Sequence, residues 1–237
     1  MKRWYLFLLF LPALWVAAQE PSATSGSHAS QPTIHFLFDW PQGVPWESYS
    51  VSVPADGKAS FNGTPHADGT NDTDPYQLDF SMTEANREKM FELAKKLNYF
   101  HGDLDSHLKH VAQTGKKTLQ YQSPQVNGSA TYNWSQNPDV RELTHIFDGI
   151  ATTIEFGRKL AFQYRFDKLG MDDQLKQLES AQADHNVEEL QILQPILHKI
   201  WKDPNLMNIS RDSAHRLLLI IDAPPATSTP TPSPVSQ

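Results

Sequence analysis

The sequence predicts an α+β fold: a small antiparallel sheet of hairpins with one packed helix, followed by an all-helical C-terminal region. Three observations carry this expectation. Apolar residues alternate with polar ones around Ile34–Phe38, Tyr49–Val53 and Tyr76–Phe80, the period of strands with one buried face. Two turn signatures, Ala55-Asp56-Gly57 and Asn127-Gly128, sit between such runs. From Asn137 onward the apolar spacing lengthens to that of helices.

Taken in order, the first strand covers Ile34, Phe36 and Phe38. A hairpin follows, with Gly57 at the left-handed position of a three-residue loop. Its register sets Val53 opposite Ala59 and Val51 opposite Phe61, making one face apolar on both strands. After a polar loop over 62–75, the strand Tyr76–Phe80 leads into a helix capped by Ser81 with Glu84 as reciprocal partner. Met90, Leu93, Ala94 and Leu97 form its buried stripe. The second hairpin is centred on Asn127-Gly128, which pairs Tyr121 with Trp134 and Ser123 with Tyr132. A long helix then starts at Pro138, behind the cap Asn137. It carries Leu143, Ile146, Phe147, Ile150 and Ile154 and runs to Leu169, with Gly170 as its stop, joining the two parts of the body. Shorter helices are expected over 174–183, 187–202 and 211–222. Asn186 and Glu189 read as a capping box, and Pro195 as a kink or a break.

The ends read differently. Lys2 and Arg3, the apolar run Trp4–Val16 and the small residues Val16 and Ala18 make the three parts of a cleavable leader over 1–18. Pro12 interrupts the run, which is shorter than the ~20 residues of a spanning helix. No stable membrane anchor is expected after cleavage. A polar linker over 19–32 precedes the α+β domain, 33–136, and the helical region, 137–222. The tail, 223–237, is rich in Pro, Ser and Thr and reads as disordered. The address is therefore periplasmic or extracellular.

The chain has no Cys, which excludes disulfides, thiolate metal sites and cysteine nucleophiles. The formal net charge is −7, which argues against nucleic acid and anionic membrane surfaces, since both are bound through Lys and Arg.

Candidate chemistry is sparse. His101, Asp103, Asp105, His107 and His110 lie close together, and imidazole with carboxylate is a zinc-type ligand set. Neither HExxH nor GxSxG occurs. The oxygen-rich stretch 68–74 has ligands suited to calcium without the EF-hand spacing. No other cofactor is expected. His145 and Asp148, at i and i+3, have the composition of a base and its orienter. Trp40 and Trp46 flank Pro41 and Pro45; exposed together they would mark a contact patch, and folded back they would join the core. His198 and His215 read as packed groups. Five glycosylation sequons begin at Asn62, Asn71, Asn127, Asn133 and Asn208.

From Tyr49 to Trp134 the chain, with YSVSVPADGKASF, a strand leading into a helix, and TGKKTLQYQ, resembles uncharacterised exported bacterial domains. The resemblance lies in the pattern of elements and implies no activity. These readings favour a non-catalytic secreted or periplasmic binding or interaction protein, with an envelope protein or small ligand as partner. The alternatives are a metal-dependent hydrolase using residues 101–110 and a structural adaptor in the cell envelope.

Overall fold

A computed structural model of the chain describes residues 31–42, 45–66, 74–109 and 112–223. The expected leader and tail, most of the linker, His110 and residues 68–73 of the calcium-type stretch lie outside the described residues.

Six strands form one antiparallel sheet: β1 (Thr33–Asp39), β2 (Trp46–Pro54), β3 (Lys58–Pro65), β4 (Tyr76–Ser81), β5 (Lys116–Gln122) and β6 (Asn127–Tyr132). Their order is β4-β3-β2-β1-β5-β6. Two helices interrupt or follow the strands, α1 (Glu84–Lys96) and α2 (Pro138–Phe166); α3 (Met171–Ala183), α4 (Gln194–Lys202) and α5 (Asn208–Ile221) complete the chain. The fold is thus α+β with a helical C-terminal region. Among the described residues no helix is long and apolar enough to cross a membrane.

The β2–β3 hairpin has the expected register, Val51 opposite Phe61, and Gly57 takes a φ of +77°. The second hairpin does not. Tyr121 faces Gly128 and Gln122 faces Asn127, so Asn127-Gly128 lies in β6 and the turn is Ser123–Val126. Pro124 presets φ for that turn, and the Ser123 hydroxyl accepts from the Val126 amide at 2.9 Å. Gly128 is required for another reason. A Cβ there would stand 2.0 Å from the Tyr99 carbonyl oxygen, a close backbone approach of the kind a strand glycine permits.

The α1 stripe is as expected, with Met90, Leu93 and Ala94 buried. Its cap is Thr83 rather than Ser81, which remains in β4 opposite Lys58. The reciprocal carboxylate comes from far along the chain: Glu189 accepts from the Thr83 amide at 2.7 Å and the Thr83 hydroxyl at 2.8 Å. Glu189 therefore does not form a box with Asn186. Its backbone is left-handed, and α4 begins only at Gln194, with Pro195 in its first turn. The proline splits the expected helix. At the end of α2, the helix stops at Phe166, and Gly170 precedes α3 instead of closing α2.

Inward residues of the sheet, among them Ile34, Phe36, Val51, Phe61 and Leu119, are fully buried. They meet the first half of α2, where Phe147 stacks on Phe36 at 4.6 Å. Burying a side chain of that size stabilises the fold by ~1.5–3 kcal/mol. Leu160, further along α2, belongs to a second core with α3, α4 and α5. The outward face of the sheet is polar. One row across all six strands reads Asp79, Ser60, Ser52, His35, Gln120, Ser129.

Candidate functional site

At one end of the sheet the inward row reads Gly63, Tyr49, Phe38, Lys117, Tyr132. The strand period sets these side chains toward α2, in phase with Val51, Phe36, Leu119 and Ala130. Three of the sheet's aromatics are tied to one stripe of the helix. Tyr132 Oη lies 2.6 Å from Thr144 Oγ1, Tyr49 Oη donates to Asp148 Oδ1 at 2.5 Å, and Trp46 Nε1 donates to the Ala151 carbonyl at 3.2 Å. Positions 144, 148 and 151 share a helix face. Between sheet and helix they leave a cavity of about 770 Å³, walled by Phe38, Trp46, Tyr49 and Tyr132, with Trp134, Arg141 and His145 also on its lining.

Two of the ionisable groups on the lining, Lys117 and Asp148, are of opposite sign and largely buried, while Arg141, Glu142 and His145 are exposed. Lys117 is 7% exposed, and its ammonium donates to the Thr114 carbonyl (3.0 Å), Thr114 Oγ1 (3.1 Å) and the Asn133 carbonyl (3.4 Å). It also lies 5.6 Å from the centre of the Phe38 ring. Burial pulls the ammonium below its ordinary pKa. Among the described residues no carboxylate lies within ion-pair distance of it. Asp148 is pushed the other way: burial raises its carboxyl above the usual range, while the Tyr49 hydrogen bond and the Lys117 charge pull it back. Burial and the Asp148 carboxylate drive the Tyr49 phenol well above its ordinary value.

No known family model matches this chain, and no curated protein does. The cavity's own chemistry therefore carries the functional reading.

The expected metal-type segment is placed beside Asn133 and Trp134, just past the end of β6. Asp105 Oδ2 accepts from the Asn133 amide at 2.6 Å, and the Ser106 amide donates to the Trp134 carbonyl at 2.8 Å. Asp103, Asp105 and His107 are brought together, with His107 Nε2 at 2.5 Å from Asp103 Oδ2. Their other oxygens accept from backbone: Asp103 Oδ1 from the Asp105 amide and Asp105 Oδ1 from the His107 amide. The Asp103 bond raises the His107 pKa, and the Asn133 amide holds Asp105 low. His101 is exposed beside Gly128. Among the described residues no group of three or more His, Asp or Glu is arranged to hold a metal ion. The segment satisfies backbone groups of Asn133 and Trp134, just past the end of β6.

Trp46 is 3% exposed and meets Phe61 edge-on at 5.0 Å, so it belongs to the core and to the cavity wall and forms no exposed patch with Trp40. Trp134, expected to pair with Tyr121, is 38% exposed on the cavity lining; Tyr121 instead packs on Tyr99 at 4.8 Å. His145 and Asp148 both line the cavity but do not bond each other, because His145 Nε2 donates to the His185 carbonyl at 2.8 Å. His215 stacks on Trp201 at 4.6 Å. Sequence reasoning passed over Lys117, Tyr49 and Tyr132. Their signal was present in the strand period, which sets Lys117 in phase with Leu119 and Tyr121.

Proposed function

We propose that this chain is an exported, non-catalytic binding protein that captures a small ligand in the cavity between the sheet and α2. The carrying observation is the cavity itself: about 770 Å³, with aromatic walls and a few convergent polar groups. Small-molecule sites have that size and character. Binding is favoured over proton transfer because His145 and Asp148 are engaged separately, by the His185 carbonyl and the Tyr49 phenol. The export half of the reading rests on Lys2, Arg3 and the apolar run Trp4–Val16.

Fluorescence titration with Nile red, a neutral apolar dye, tests the cavity. One saturable site is expected on the native protein. Thr152→Phe, which places a ring in the cavity, should weaken it by about tenfold or more with the thermal midpoint little changed. Absence of a saturable site, or equal binding by the Thr152→Phe protein, overturns the reading.

A further inference from the structure

Most hydrogen-bond donors on the cavity lining are already committed; Trp134 Nε1, the Arg141 guanidinium and the Ser135 hydroxyl are the exceptions among the described residues. Trp46 Nε1 donates to the Ala151 carbonyl and Tyr49 Oη to Asp148. Thr144 Oγ1 donates to the Val140 carbonyl at 2.7 Å, so the proton between Thr144 and Tyr132 comes from the phenol. Thr152 Oγ1 donates to the Asp148 carbonyl at 2.8 Å. The Lys117 ammonium carries three hydrogens, and three protein oxygens face it.

The acceptors are not committed. Asp148 Oδ2 has no hydrogen-bond partner among the described residues and is not sealed from the cavity. A carboxylate removed from water ordinarily has a cation beside it. Here its fixed partner is a phenol, while Lys117 is held by Thr114 and Asn133 and His145 by the His185 carbonyl. Arg141 and Glu142 are both exposed on the lining, Glu142 paired with Lys89, and the buried Ser135 hydroxyl keeps its proton while accepting from the Asn137 amide.

Resting on the binding function above, we propose that the ligand is an organic amine. Its ammonium group is held by Asp148 Oδ2, and its apolar body lies against Phe38, Trp46 and Tyr49. The ligand supplies a counter-charge bonded directly to Asp148, which the fold leaves out, and the ring faces add cation–π attraction to the same charge. A carboxylate or phosphate ligand in the same place would meet the Asp148 charge.

The test compares matched pairs that share one body, by calorimetry on the purified full chain: tryptamine with indole-3-acetate, and phenethylamine with phenylacetate. Each amine is expected to bind at least about tenfold more tightly than its carboxylate partner and to displace Nile red. Asp148→Asn, which keeps an acceptor for Tyr49, should remove that preference. Equal or tighter binding of the carboxylates overturns the proposal, as does failure of both amines on a protein that still takes the dye. Loss of the dye site in the native protein marks instead the failure of the cavity reading. The matched-pair comparison uses the native chain, so it holds whatever the Asp148→Asn protein does.

Discussion

Glu189 shows how much one side chain can hold. It is 4% exposed, sits at a φ of +56°, and its two oxygens receive the Thr83 amide, the Thr83 hydroxyl and the Asn86 side-chain amide. The Gln191 side-chain amide donates to it as well. Glu189→Ala leaves the Thr83 amide and its neighbours without an acceptor. Hydrogen bonds to a charged acceptor are worth ~1.5–3 kcal/mol, and Thr83 is exposed enough for water to replace part of them, so a loss of about 1.5–3 kcal/mol is expected in urea unfolding. Glu189→Gln, which keeps one acceptor, should lose less; a loss below about 0.5 kcal/mol for the alanine variant would show that water replaces the carboxylate. Asp148 works in the opposite direction. Its folded pKa is raised, chiefly by burial, so the charged form is disfavoured in the fold. The cost is absent below the unfolded carboxylate value and grows as pH rises through the folded one. Asp148→Asn should therefore raise the melting temperature by about 2–4 °C at neutral pH, with the gain vanishing near pH 4. A variant that melts lower at neutral pH would show that the charge is already compensated in the free protein. The sequence singled out Asp148, but as a partner of His145. A helix i, i+3 spacing says that two side chains are neighbours; it does not say what each meets across the sheet.

At the scale of elements, local chemistry was readable wherever the element is stabilised by its own residues. Asn137 caps α2 at 2.9 Å to the Asp139 amide, with Pro138 at the first position. Gly57 closes the β2–β3 hairpin. The reading failed where a distant segment decides. Gly128 looked like a turn glycine because nothing in the sequence shows the chain of Asn98–Phe100 crossing it. Those three residues have φ of +50°, +53° and +65°, a left-handed turn that costs ~1–2 kcal/mol per residue. The turn seats Phe100 in the core at 0% exposure and presses the Tyr99 carbonyl on Gly128. Gly128→Ala should thus cost about 3 kcal/mol, at the upper end of overpacking penalties, because the atom in the way is backbone. Gly102→Ala is the control. Its φ is +113°, but nothing lies within 4 Å of the added carbon, so strain alone, ~1–2 kcal/mol, is expected. Equal losses in chemical denaturation would show that the close approach is not what the fold requires of Gly128.

The whole molecule turns on α2, because one helix belongs to both cores. Val140 through Ile154 pack on the sheet, and Leu160 packs among α3, α4 and α5. The segment before α4 reinforces the joint. Thr153 Oγ1 donates to the Glu188 carbonyl at 2.6 Å, and a Cβ on Gly149 would stand 2.7 Å from Glu188 Cγ. The same segment carries Glu189 to the cap of α1, so the helical region supports the sheet layer at two places. The cavity that holds Asp148 lies on the sheet side of this shared helix, and its shape depends on the far core keeping α2 in place. Leu175 is fully buried in that far core. Leu175→Ala should cost ~2–5 kcal/mol. If the two cores are one cooperative unit, amide exchange on β1 and β2 will lose protection by that same amount, although no atom of Leu175 belongs to the sheet core. Unchanged protection on those strands would mean that the sheet with the first half of α2 opens and closes on its own. The helical region would then be a separate module, and ligand affinity would be indifferent to the Leu175 substitution.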